Sequence, residues 1–346
     1  MRRIIIFILL VFLLAIPVSA TEYTAPVAPE QAQKYMPAET SSFGTDLWYI
    51  VKTAISQLQP SVTQAARICF SVLAIKLLTA ILQNFSVISS DVTDLVGTIS
   101  IGILLLQPSH SLIQLGLDTV SELSEYGKLL LPVMTAANAA QGGAATSAAI
   151  YTGTVIFITI LTAGITKIII PMVYIFMALS IAHSALGNDA LKNLKEFVKW
   201  AMTWCLKIVL YVFTGYLTIT GTVSGTTDAT AVKAAKLAIS GFIPIVGNIV
   251  SDASEAILVS TSVVKNTAGI YGLLVVIAIC VGPFLKIAVQ YMLLKLTASV
   301  CGTLTNGKPS SIANDFSGIM GFLLAMTGTV CLLLLISTVC LMRGVS

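Results

Sequence analysis

The residues best placed to do chemistry lie in the stretch GFIPIVGNIVSDASE, Gly241 to Glu255. Asn248, Asp252 and Glu255 recur at i, i+4 and i+7, so a helix after Pro244 carries them on one face. Ile245, Ile249, Ala253 and Ile257 fall on the other side. A carboxylate stripe in so apolar a chain needs water, a cation or a basic partner. It also fits the wet side of a helix lying at the membrane surface. Lysines inside apolar runs are the second chemical signal: Lys76, Lys167, Lys207 and Lys286. A lysine near a run's end can snorkel to the headgroups. Lys76, near the middle of its run, calls for a carboxylate or a hydrophilic path.

Other chemistry finds little support. His110 and His183 lack the spacing of a metal-binding helix, and no P-loop or dinucleotide glycine fingerprint is present. Six cysteines stand singly, mostly in apolar runs, with no Cys-x-x-Cys pair, and read as small buried hydrophobes. No catalytic, cofactor-binding or metal-binding residue is expected, and the reading is of a protein that is not an enzyme. Lysines and arginines form no patch interleaved with aromatics, which argues against nucleic acid as a partner.

The elements that must hold these residues can be read from composition. The chain is 56% hydrophobic and 10% charged, with a mean hydropathy of +0.95. Soluble domains carry about 25% charged residues. The expected fold is all-α: a polytopic membrane bundle of about seven transmembrane helices, with two Pro/Gly-broken segments that are re-entrant or amphipathic.

Residues 1–20 read as a signal peptide, with Arg2 and Arg3 before an apolar core and a small-residue site at Val18-Ser19-Ala20. An uncleaved anchor is the alternative; both export the segment that begins at Thr21. Residues 21–66 read as an extracytoplasmic linker and an amphipathic segment, and 67–346 as the polytopic domain. The predicted spans are Arg67–Ile88, Leu95–Leu117, Ser147–Thr166, Ile168–Leu186, Ala201–Gly221, Ala268–Leu294 and Phe316–Met342, with Lys167 and Pro171 dividing the third from the fourth. The 187–199 link reads as amphipathic: Leu191, Leu194 and Val198 edge it, and Lys192, Lys195, Glu196 and Lys199 face solvent. Four spans before it place it outside, against the positive-inside rule. In the last span Ser317, Gly321, Ala325 and Thr329 recur every four residues, a small-residue ridge suited to close helix packing.

The two broken segments centre on Pro132 and Pro244, and Gly142-Gly143 lends the first backbone freedom. Pro171 and Pro283 repeat the separation of that pair, which suggests inverted repeat halves, 95–187 and 200–342.

Three passages carry a family resemblance: LLLPVMTAANAAQGGAATSAA from Leu129 to Ala149, GFIPIVGNIVSDASE, and the run from Asp315 onward. In their order and wording they resemble the stage III sporulation protein AE family of endospore formers. The resemblance implies a membrane component of a secretion-like channel complex linking mother cell and forespore, needed for spore development. It implies as partners the other proteins of the stage III sporulation A operon, among them a cytoplasmic ATPase-like protein and ring-forming proteins, and a forespore membrane protein. It implies residence in the mother-cell-derived membrane around the forespore. It carries over no catalytic residue. On this reading the chain is a permease-like gate or platform, a homo-oligomer is among its expected assemblies, and Pro132, Gly142, Gly143, Pro244, Asn248, Asp252, Glu255 and Lys76 line or gate a path. The alternatives are an autonomous secondary transporter for a small solute and a passive membrane scaffold.

Overall fold

Every regular element among the described residues of the computed structural model is helical. The structure describes residues 25–38, 42–84, 90–139, 144–209, 211–213, 215–216, 247–304 and 309–343, and within helices the side chains of 84, 90–91, 146, 247–266, 304, 309–310 and 343 are not described. The elements are α1 (Glu30–Gln33), α2 (Phe43–Ser56), α3 (Gln59–Asn84), α4 (Ser90–Ala139), α5 (Ala144–Gly164), a π-turn (Ile165–Ile169), α6 (Ile170–Leu186), α7 (residues 189–209), α8 (Gly247–Leu304) and α9 (Pro309–Arg343).

Among the described residues, five helical stretches are long and apolar enough to cross a membrane: Gln59–Gln83, Val92–Ala139, Ser147–Leu186, Thr267–Thr303 and Ser311–Met342. They hold 25, 48, 40, 37 and 32 residues. At 1.5 Å per residue these are about 38, 72, 60, 56 and 48 Å long. The hydrocarbon core is about 30 Å thick. Among the described residues this count does not confirm the expected seven, and part of the expected Ala201–Gly221 span lies outside them.

One reason lies in 147–186, expected as two spans and found as one continuous helical rod. Pro171 should clash with the carbonyl four residues back, that of Lys167. The chain widens there instead into the π-turn, where the Ile170 N–H reaches the Ile165 carbonyl. The wider turn accommodates the proline without a break. Pro108, Pro132 and Pro283 likewise sit inside continuous helices. Pro132 thus marks no re-entrant break; it is exposed on α4.

Side-chain contacts fix how the rods align. Thr79 of α3 packs on Gly97 of α4, Ile181 of α6 on Gly102, Ile158 of α5 on Gly127, and Leu130 of α4 on Gly272 of α8. α3 and α4, α4 and the α5–α6 rod, and α4 and α8 therefore run antiparallel, while α4 and α9, joined at Gly116–Met326 and Gly127–Leu334, run parallel. Gly187, in the left-handed region at φ 70°, ends α6 as its N–H returns to the His183 carbonyl. α7 then runs back along the bundle. Lys195 near its start meets Asp315 of α9, Phe213 beyond its end packs edge-on against Phe157 of α5, and the Tyr216 hydroxyl donates to the Ala149 carbonyl at 2.7 Å. The core is apolar and lies chiefly between α4, α8 and α9.

The expected linker is partly structured. Ala28, Ala32 and Tyr35 are buried, and the Tyr35 ring lies against Gly282 of α8 so closely that a side chain there would collide. Burial pushes the Tyr35 hydroxyl's pKa up. α2 buries Asp46, Ile50 and Ala54 at i, i+4 and i+8 and leaves Trp48 and Tyr49 exposed. The amphipathic reading of this stretch fits that pattern.

Candidate functional site

A buried charge must find a partner or water, so the interior charges are where chemistry is sought. Apart from Asp46 of α2, they gather toward one end of the bundle, where α3, α6 and α8 finish and α4, α7 and α9 start.

Lys76, on α3, is 1% exposed. Its ammonium interacts electrostatically with Asp94 of α4 and Cys301 of α8. Asp94 Oδ1 accepts from Gln83 Nε2 at 2.7 Å, and Thr79 Oγ1 donates to the Lys76 carbonyl at 2.8 Å. Three helices thus converge on one lysine. On another side of the α3–α4 pair an open apolar groove of about 210 Å³ is lined by Ile75, Leu78, Thr79, Val92, Val96 and Gly97, among others.

The second locus was not foreseen. Lys195 Nζ donates to Asp315 Oδ2 at 2.8 Å, and the two side chains are only 7% and 12% exposed. His183 and Lys199 also act electrostatically on Asp315. Ser184 Oγ of α6 and Ser311 Oγ of α9 are 2.8 Å apart, and Lys295 Nζ of α8 donates to Asn314 Oδ1 at 2.7 Å. Four helices are pinned together by polar groups. The helical wheel had put Lys195 on a solvated face and Leu194 on the apolar edge. The structure reverses both: Lys195 is buried and Leu194 is exposed. The buried face of α7 is Lys195, Val198, Met202 and Leu206. One signal pointed to the pair: Asp315 is the only carboxylate after Glu255, so a lysine partner for it was worth seeking.

The other expected residues separate. Gly142, Gly143 and Pro244 lie outside the described residues, as does the 1–20 segment. Asn248, Asp252 and Glu255 belong to the first turns of α8, but their side chains lie outside the described part. Lys167 and Lys207 are exposed and Lys286 is half-buried. Of the ridge on α9, Ser317 and Thr329 are buried, Gly321 lies 3.5 Å from the Tyr291 ring of α8 by the reach of a Cβ, and Ala325 is exposed. Close approach there is used within the chain, by α8. Among the described residues no three His, Cys, Asp or Glu side chains gather as a metal site would need. Among the described residues, the interior offers charge pairing and hydroxyls.

Comparison with known proteins matches this bundle to a family model described as stage III sporulation protein AE, over residues 31–344. Stage III sporulation protein AE of Bacillus subtilis (strain 168) is 25% identical over 237 residues. The alignment covers 68% of this chain and 59% of that protein's length. No solved structure matches.

Proposed function

Since the chain belongs to the stage III sporulation protein AE family, a multi-pass sporulation membrane component, we propose that it is the permease-like gate or platform of a secretion-like channel complex joining mother cell and forespore. The family match across nearly the whole chain carries this reading. The buried charges of Lys76, Lys195 and Asp315 favour a gate over a passive scaffold, because an anchor has no use for groups so costly to bury. Its partners on this reading are the other proteins of the stage III sporulation A operon and a forespore membrane protein, and it resides in the mother-cell-derived membrane.

An orientation goes with it. Three rods, α3, α4 and α5–α6, precede the 187–199 link, where four spans were expected. With an exported N-terminus, an odd number places Lys192, Lys195 and Lys199 on the cytoplasmic side, in accord with the positive-inside rule. Counting 147–186 once removes the conflict seen in the sequence.

The test is complementation in a spore-forming host lacking its own copy. Lys76→Met and the double variant Lys195→Met/Asp315→Leu are expected to leave membrane insertion and partner co-purification intact while reducing heat-resistant spores at least tenfold. Normal spore yield in both variants would reduce the protein to a scaffold. Solute uptake by the purified chain alone in liposomes would favour an autonomous transporter.

A further inference from the structure

The outward face of α4 changes character partway along the rod. Its exposed large apolar side chains are Val92, Val96, Ile99, Ile103 and Leu106, and then Leu129. Every exposed residue from 107 to 128 is polar, among them Gln107, His110, Gln114, Asp118, Glu125 and Lys128. At 1.5 Å per residue this polar face is about 32 Å long, close to the thickness of a hydrocarbon core. Glu122, half-buried at its edge, feels the charges of Glu125 and Asp118. The three carboxylates recur at i, i+4 and i+7, on one side of the helix. Among the described residues none of the three is ion-paired.

The antiparallel α5–α6 rod lies beside α4 in a register that three contacts fix. Gly102 meets Ile181, His110 Nδ1 lies 2.7 Å from the Tyr174 hydroxyl, and Gly127 meets Ile158. Between those heights the rod exposes the large apolar side chains of Ile160, Ile168 and Ile175. It also exposes Lys167. Counting along the helices from any of the three contacts sets Lys167 level with Asp118 to within about one turn.

No single surrounding suits a band of the bundle so divided. Lipid would leave the α4 carboxylates unsolvated. Water would leave the isoleucines bare. The lysine among the isoleucines lacks a carboxylate, and the α4 carboxylates lack a cation. Copies of one chain inserted in one membrane share an orientation, and rotation about the membrane normal keeps every height. A lysine and a carboxylate that are level on different rods can therefore meet between copies.

We propose that the polar face of α4 is an interface with a second copy of this chain, whose Lys167 sits against Asp118, Glu122 and Glu125. The charges that lipid cannot solvate then pair with each other, and the isoleucine face beyond the contact stays in lipid. This does not depend on the channel reading, since a transporter or a scaffold would assemble in the same way.

The test uses two full-length copies bearing different tags in native membrane vesicles, with the six cysteines replaced. One copy carries Ser121→Cys and the other Thr166→Cys, exposed positions near Asp118 and Lys167. The control for the second copy is Leu332→Cys, exposed on α9 at the height of Ser121 by the Gly116–Met326 contact. Copper-catalysed oxidation should join Ser121→Cys to Thr166→Cys at least tenfold more than to Leu332→Cys. Asp118→Lys in the first copy should cut that yield tenfold or more, and Lys167→Asp in the second should restore it. A yield no higher than the control would overturn the interface, and a swap that restores nothing would remove the charge pairing. Fast reaction of Ser121→Cys with a small charged thiosulfonate, with no cross-link, would also overturn it and make this face the wall of a wet path.

Discussion

The Lys195–Asp315 pair makes a quantitative prediction. At 2.8 Å, opposite unit charges attract by about 6 kcal/mol at an effective dielectric of about 20. Removing two ions from water costs several kcal/mol each, so the intact pair contributes little net stability. Removing one partner is different: the other charge stays buried and uncompensated. Asp315→Asn or Lys195→Met should each destabilise the protein by about 3–5 kcal/mol. The double variant Lys195→Met/Asp315→Leu should lie within about 1 kcal/mol of the parent, or above it. A double-mutant cycle in detergent micelles, read from reversible unfolding, gives the coupling directly. If each single variant lost less than about 1 kcal/mol, the value for an exposed ion pair, the pair would be solvated and the burial argument refuted.

Three further outcomes rest on named contacts. Gly282→Ala should expel the Tyr35 ring and free the 25–38 segment, seen as faster cleavage there by limited proteolysis; an unchanged rate would show that Tyr35 does not lean on that glycine. Cys280 of α8 and Cys331 of α9 are free, buried and close enough to interact, so a mild oxidant should join α8 to α9 by a disulfide mapped by mass spectrometry, and failure in the folded protein would place the thiols apart. Pro132→Ala restores a backbone donor in an already continuous helix, and should raise stability by up to about 3 kcal/mol with helix content unchanged; loss of helix would mean that the proline shapes the rod.

Class and family were legible because apolar composition and long wordings are properties of the chain itself. Amphipathic 43–56 was legible for the same reason, since a local pattern decides it. What escaped depended on distant meetings. Lys195 looked solvated because its partner lies 120 positions later, and no helical wheel shows that. Tyr35 sat in a proline-rich stretch whose anchor, Gly282, is on another helix. Pro171 and Pro132 read as breaks because a proline normally is one. A single π-turn absorbs the first, and α4 simply carries the second on its exposed side. Taking the Pro171 break as a boundary is what divided the continuous 147–186 rod into two predicted spans.

The rods' excess length has a mechanical consequence. A helix of about 60 Å in a film of about 30 Å can tilt, but a 40° tilt takes up only about 39 Å of it. In the 147–186 rod, whose one Asp, Glu, Lys or Arg is Lys167, the apolar band is therefore taller than the sheet it pierces. Such a column feels little restoring force when it shifts along the membrane normal, and its depth is set by charged groups rather than by oily ones. Lipids of shorter or longer tails should leave its activity nearly constant, where a close-fitting channel would show an optimum.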